Sequence, residues 1–383
     1  MPNKNVAGFS TRAIHVGGEA DPSTGAVAPP IFATSTYAQE ELGKTKGYDY
    51  SRAGNPTRTR LEENLASLEG GVAARVFGSG MAAIGAICHL MKAGDHIVAS
   101  NNLYGGVPRL FNQIMANFGL EFTYADSTDP RNVATAIRKS TRYVYIETPT
   151  NPLMGLTDIA AVSEIAHRRG CEVVVDNTFM SPYFQQPIAL GADIVMHSTT
   201  KFLNGHSDGI GGALICTTKD QAEQLAFVQK AAGAILSPFE CWLVLRGTKS
   251  LAVRMKQHDE NGRAIADYLA GHRKVKKVFY PGLKSHPQYE LACRQMFGFG
   301  AMITFETGSL NNAKRLLKRV RLCTMGESLG GVETLISHPA TMTHAAIGEK
   351  GRKAIGLTDG MVRISVGIED VDDLIADLEQ AID

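Results

Sequence analysis

Residues 171–201 read "CEVVVDNTFMSPYFQQPIALGADIVMHSTTK". Two apolar runs stand in it, Val173-Val174-Val175 and Ile194-Val195-Met196, and each stops abruptly at polar residues. Asp176-Asn177 follow the first run, and His197-Ser198-Thr199-Thr200-Lys201 follow the second. Short β-branched runs of this kind predict buried strands. A solvated lysine needs no row of hydroxyls ahead of it, and turn residues arrive only later, at Asn204-Gly205. Lys201 therefore reads as a residue with a chemical task at the end of a strand.

The same texture repeats upstream. "DHIVAS", "EFTYAD" and "RYVYIET" read as strands, with helix-like "MAAIGAICHLMKAG", "RLFNQIMANFG", "PRNVATAIRKS" and "LTDIAAVSEIAHRRG" between or after them. In "NPTRTRLEENLASLEG", Pro56 suits a first helical turn, Leu61, Leu65 and Leu68 share a face, and Gly70-Gly71 end it. Alternating strands and helices predict an α/β fold with a mostly parallel central sheet covered on both faces. From about residue 246 the pattern changes. A long helix over 247–271 leads to "VKKVFY", "GAMITFET" and "MVRISVGIE", which predicts a smaller α+β domain over 246–383. Residues 1–55 are rich in Gly, Pro, Ser and Thr and show little period, as expected of an arm pinned to a partner. Residues 56–245 are left as the main domain.

Composition narrows the function. The 383 residues carry a net charge of +1, so no strong field favours nucleic acid or an anionic membrane surface. Hydrophobic residues make up 44%, enough for a large core, yet no apolar run is long enough to span a bilayer. The six cysteines are scattered with no C-x-x-C pair, so neither a metal site nor a disulfide framework is expected, and a reducing cytoplasm is. The opening "MPNKNVAGFSTRAIHVGG" lacks the apolar core of a secretory signal.

In open parallel sheets, ligands sit beyond the carboxyl ends of the strands. There the polar residues gather: Glu147 after "YVYI", Asp176-Asn177, and the hydroxyl row ending at Lys201. Gly78-Ser79-Gly80, between a short strand and a helix, suits an anion at a helix N-terminus. Its glycine spacing also meets a loose dinucleotide fingerprint, but that reading requires an acid ending the next strand. The strand "DHIVAS" ends instead in Ser100-Asn101-Asn102, so the phosphate reading stands and the dinucleotide does not. A phosphate cradle, a lysine amine, a buried acid and an aromatic are what pyridoxal phosphate needs. Asp176 suits the pyridinium nitrogen, Ser198 and Thr200 the phosphate, Tyr104 the ring face, and Lys201 the Schiff base. An NAD(P)-dependent oxidoreductase rests on the glycine spacing alone. A non-enzymatic interaction protein would require this residue set to be idle.

With these residues in place, the chain resembles the Cys/Met-metabolism family of PLP-dependent trans-sulfuration enzymes, from "YDYSRAGNPT" to "VRISVGIED". The family includes cystathionine γ-lyases, γ-synthases and β-lyases, methionine γ-lyases and O-acetylhomoserine sulfhydrylases. The resemblance implies the fold type I (aspartate-aminotransferase-like) architecture, with 56–245 as the PLP-binding domain. It also implies a homotetramer whose active sites are shared between subunits. It makes Lys201 the catalytic lysine and Asp176 the pyridinium partner. Gly80 and Met81 become phosphate donors beside Ser198 and Thr200. Tyr104 becomes a stacking and catalytic aromatic. It sends Tyr50 and Arg52 to the phosphate of a neighbouring subunit, and gives the substrate α-carboxylate to Arg363, Ser328 and Asn151. Gly106 stands where methionine γ-lyases carry cysteine, which counts against that activity. Asp49, Arg109 and Glu327 occupy positions around the distal end of the substrate, as suits zwitterionic cystathionine. The resemblance thus points to cystathionine γ-lyase, with γ-synthase as the alternative. His206 and Asp208 are expected to order the loop after Lys201.

Overall fold

A computed structural model of the chain describes residues 7–345 and 348–382. Among them, seven strands form the larger sheet: β1 (Ala73–Phe77), β2 (His96–Ser100), β3 (Glu121–Ala125), β4 (Thr141–Glu147), β5 (Glu172–Asp176), β6 (Ile194–Ser198) and β7 (Gly212–Cys216). Their spatial order is β1-β7-β6-β5-β4-β2-β3. Strands β2 to β6 run parallel, as their alternation with helices predicts. β7 is the departure: it lies between β1 and β6, antiparallel to both. The loop 199–211 returns the chain without a crossover helix, so β7 comes back beside β6 in the opposite direction.

The β-branched runs are buried on both faces. Val173, Val175 and Val195 belong to one apolar cluster, and Val174, Ile194 and Met196 to the other. This is the period-2 alternation of a sheet covered on both sides. Helix Pro56–Glu69 packs on the first face. Asn55 caps it by accepting from Thr57 N at 3.0 Å, and Gly70 ends it at φ 76°.

A second sheet comprises β8 (Lys277–Phe279), β9 (Met302–Glu306), β10 (Thr324–Met325), β11 (Leu335–Ser337) and β12 (Met361–Ser365), in the order β10-β11-β12-β9-β8. β8, β9 and β12 match the expected strands. β10 and β11 span two and three residues, too few to show a period. The long helix expected over 247–271 is present as Leu251–Gly271, and residues 247–248 instead close a separate helix, Pro238–Thr248. The break has a local cause. The Gly247 carbonyl accepts from Ser250 Oγ at 3.2 Å and from Arg254 Nη2 at 2.8 Å, which caps the first helix. A side chain at Gly247 would meet Asn204 O at 2.4 Å, so glycine lets this turn lie against the loop after Lys201. Arg254, 4% exposed, also donates to the carbonyls of Phe202 at 2.7 Å and Leu203 at 3.3 Å. The helix break thereby fixes the segment that carries Lys201.

Among the described residues, the arm before residue 55 has one helix, Phe9–His15, and two isolated bridges, Thr36 with Tyr50 and Glu41 with Lys44. Its apolar Val27 and Leu42 are exposed. Among the described residues, no helix is long and apolar enough to cross a membrane.

Candidate active site

Register places the ends of β4 and β5 in line, beside β6. Glu147 on β4 pairs with Asp176 on β5, which pairs with Met196 on β6. A cavity of about 970 Å³ opens over this edge. Its walls come from the N-terminus of helix Gly80–His89, the loop after β6, the segment 324–329 and β12.

The helix N-terminus is an anion cradle. Ser79 caps it, its Oγ accepting from Ala82 N at 3.0 Å. The N–H groups of Gly80 and Met81, in the first turn, find no intrahelical acceptor. A Cβ on Gly80 would stand 3.1 Å from Met196 Cε and 3.2 Å from Ser198 Cβ, so glycine keeps the cradle open beside Ser198. A Cβ on Gly212 would meet Ser79 O at 2.3 Å, which explains why β7 begins with glycine. Thr200 ties the opposite wall to the loop: its Oγ1 accepts from Gly211 N at 3.0 Å.

Lys201 enters the cavity with Nζ donating to Ser328 Oγ at 2.6 Å. Burial, aided by the nearby Arg363 charge, lowers its ammonium to about 8, while Glu327 works in the other direction. Ser328 has φ 94°, the left-handed region that non-glycine residues rarely occupy. That geometry lets its hydroxyl hold Lys201 while its carbonyl accepts from Arg363 Nη2 at 2.9 Å. Arg363 Nη1 donates to Asn151 Oδ1 at 3.0 Å, and its buried Nε has no partner. Burial lowers this guanidinium to about 10. A buried fork with an unshared donor is suited to a carboxylate ligand.

Asp176, 6% exposed, accepts from Thr178 N at 3.0 Å and from Tyr145 Oη at 3.3 Å. Burial pushes its carboxyl up, and the Thr178 hydrogen bonds and the His197 charge pull it back. Glu147 is pushed well up by burial and then by Asp176. Its two oxygens accept from Tyr104 N at 2.7 Å and Asn151 N at 3.2 Å. One carboxyl group thus sets the backbone of both the aromatic and the amide of the site. Tyr104 lines the cavity, and a Cβ on Gly106 would lie 2.5 Å from its Cε1 and 2.8 Å from Met81 Sδ.

The cavity therefore collects Gly80, Met81, Tyr104, Asn151, Asp176, Ser198, Thr200, Lys201, Glu327, Ser328 and Arg363. Asp49, Tyr50, Arg52 and Arg109 do not line it. Tyr50 is exposed in the arm, and Arg52 reaches Lys230 O at 2.7 Å with its guanidinium 5.5 Å over the Tyr50 ring. Arg109 is exposed on helix Gly106–Gln113. His206 Nδ1 pairs with Asn204 O at 2.7 Å, and Asp208 Oδ1 accepts from Asn204 Nδ2 at 2.7 Å, so both order their loop.

Several cavity residues escape a reading by strand ends. Thr178 N bonds Asp176 and its Oγ1 accepts from Ser198 N at 2.9 Å, joining the acid to the hydroxyl row. Its place two residues after Asp176 is the signal that could have found it. Glu240, Glu333 and Asp208 form an acidic wall. Glu240 is anchored by Ile210 N at 3.2 Å and Glu333 by the Ser207 hydroxyl. They lie on separate segments, and nothing local marks them.

The chain belongs to the Cys/Met metabolism PLP-dependent enzyme family, whose model matches residues 10–383. It is 48% identical to a cystathionine gamma-lyase of Bacillus subtilis over 97% of this chain and 98% of that protein. It is also 48% identical to a cystathionine beta-lyase of Coxiella burnetii, over 99% of each. The crystal structure of a cystathionine gamma synthase from Xanthomonas oryzae, in complex with aminoacrylate and cysteine, superimposes with a TM-score of 0.96 at 44% identity over 98% of each chain. The residues present fit the cofactor that names the family. A helix N-terminus offers free N–H groups where glycine leaves room, burial drives one lysine amine toward neutrality, and a buried acid stands across the cavity.

Proposed function

We propose that the chain is a cystathionine γ-lyase, a pyridoxal-phosphate-dependent carbon–sulfur lyase that converts L-cystathionine and water to cysteine, 2-oxobutanoate and ammonia. The observation that carries this reading is that one cavity holds Lys201, the buried Arg363 fork and the acids Glu327, Glu333 and Glu240. Arg363, with Asn151 and Ser328, would take the substrate α-carboxylate. Glu327, with Glu333 and Glu240 nearby, would face the ammonium at the far end of the substrate. A second ammonium is what distinguishes cystathionine from a simple thioether amino acid.

Bound pyridoxal phosphate supplies the electron sink for a carbanion at the substrate Cα. Gly80, Met81, Ser198 and Thr200 would hold its phosphate, with Tyr50 and Arg52 supplied by a second copy of the chain. Asp176 would meet its ring nitrogen, and Tyr104 would cover its face. Lys201 would carry it as a Schiff base. As a free amine, Lys201 would take the Cα proton and return protons along the carbon chain, a task that suits an amine lowered to about 8. Arg363 and Ser328 would keep the Cα–H within reach of Lys201, because Ser328 accepts hydrogen bonds from both side chains.

The same reading places the protein in the cytoplasm as a homotetramer. It is supported by six unpaired cysteines and by an arm whose Tyr50 and Arg52 do not line their own cavity. γ-Synthase activity is the second reading, favoured by the structural match to such an enzyme. Product analysis separates them. The protein is incubated with cystathionine, and separately with O-acyl-homoserine plus cysteine. 2-Oxobutanoate and cysteine from the first incubation support the lyase. Faster net formation of cystathionine in the second replaces it with the synthase.

A further inference from the structure

Behind the cavity, on the opposite face of the sheet, the same strand ends carry a second polar set. Asp176 pairs with Met196, and Asn177 N donates to Met196 O at 3.0 Å. By the alternation of strands, the next residues, Asn177 and His197, turn to the reverse face. There His197 Nε2 lies 2.5 Å from Glu69 Oε1, and Asn177 Nδ2 donates to the same oxygen at 2.9 Å. The side chains of Glu69 and His197 are each 1% exposed.

Local stability does not account for this arrangement. Glu69 is the last residue of helix Pro56–Glu69, where the helix dipole disfavours an anion. Its Oε2 is buried without a hydrogen-bond partner. A carboxylate so placed is costly unless a cation faces it. The Asn177 amide leaves Glu69 Oε1 as an acceptor, so the imidazole Nε2–H is the natural second donor. On the cavity side, Asp176 faces Tyr145, Thr178 and the equally buried acid Glu147. His197 follows Met196, the register partner of Asp176 on the neighbouring strand, and a positive charge there opposes the rise that burial imposes on the Asp176 carboxyl.

We propose that Glu69 and His197 form a buried ion pair on the reverse face of the sheet, and that the His197 imidazolium keeps Asp176 ionised so that it can receive a protonated ring nitrogen. Glu69 and His197 are positioning residues, since neither lines the cavity. Asn177 completes the set. It orients Glu69 and locks to Gln185, whose Nε2 donates back to Asn177 Oδ1 at 3.0 Å. The inference rests on Asp176 as the ring-nitrogen partner.

The test is selectivity between two cofactors. The full chain, stripped of cofactor, is titrated with pyridoxal phosphate and with its deaza analogue, which has carbon in place of the ring nitrogen. Wild type is expected to prefer pyridoxal phosphate by about tenfold or more, the size of a single charged hydrogen bond. Glu69→Gln and His197→Gln are expected to bring that preference to within about threefold, by loss of the Asp176 charge. A merely structural role would weaken both ligands alike and leave the preference intact, which overturns the proposal. No preference in wild type overturns it too, and places the fault in the Asp176 reading. If the variants do not fold, neutron diffraction from the wild-type holoenzyme decides. Protons on both ring nitrogens of His197 and none on Glu69 support the pair, and a singly protonated ring overturns it.

Discussion

The hydroxyl of Ser328 accepts a hydrogen bond from Lys201 Nζ at 2.6 Å, while the carbonyl of the same residue accepts one from Arg363 at 2.9 Å. The base and the carboxylate fork are thus referred to one residue, held at a positive φ. Ser328→Ala removes the hydroxyl and leaves the carbonyl in place. Losing a hydrogen bond to a charged group costs roughly 1.5–3 kcal/mol, so kcat should fall about ten- to hundredfold with KM little changed. Steady-state kinetics with cystathionine check this.

Lys201 sets a pH dependence. Its ammonium is lowered from 10.5 to about 8, so the neutral amine that captures an aldehyde becomes the major form above that value and the minor form below it. The rate at which the cofactor-free chain takes up pyridoxal phosphate covalently should rise about tenfold between about pH 7 and pH 9 and then level off. Stopped-flow absorbance follows the uptake. A midpoint near 10.5 would mean that Lys201 is not desolvated.

Gly106 is constrained by its neighbours rather than by its backbone. Gly106→Ala puts a methyl 2.5 Å from the Tyr104 ring and 2.8 Å from Met81 Sδ. Tyr104, which is exposed, should be the group that moves. Cofactor affinity should fall by about tenfold, in line with the loss of an aromatic contact, while thermal stability changes little. Fluorescence titration and a melting curve report the two quantities separately.

Glu327 lines the cavity and opposes the lowering of both Lys201 and Arg363. If it also reads the far ammonium, Glu327→Gln should raise KM for cystathionine by about tenfold and leave homoserine within about threefold. Arg109→Ala, in an assembled oligomer, should behave in the same sense. Equal losses on both substrates would remove these residues from any part in reading the far end of the substrate.

Much of the site could be read from the chain because its signals are local. Asp176 ends one β-branched run and Lys201 closes the polar row that follows another, and Asn55, Pro56 and Gly70 bracket a helix with cap, first-turn and stop residues. The strand β7 was hidden because "GALIC" follows a glycine-rich loop and is not preceded by a helix, so no alternation announces it. The pairing of Glu69 with His197 spans 128 residues and has no local signature. Arg254 occupies the buried side of a helix, a position where periodicity predicts an apolar residue. Its purpose emerges only when the carbonyls of Phe202 and Leu203 are brought to it. Local chemistry is legible in a sequence, whereas partners supplied by the tertiary fold are not.

The most direct test is to find where the cofactor is attached. The purified holoenzyme is reduced with borohydride, digested, and mapped by mass spectrometry. A pyridoxyl group on the peptide that carries Lys201, and on no other lysine, is the predicted result. Attachment at a different lysine, or release of the cofactor without any covalent trace, would contradict the assignment of Lys201 as the centre of the site.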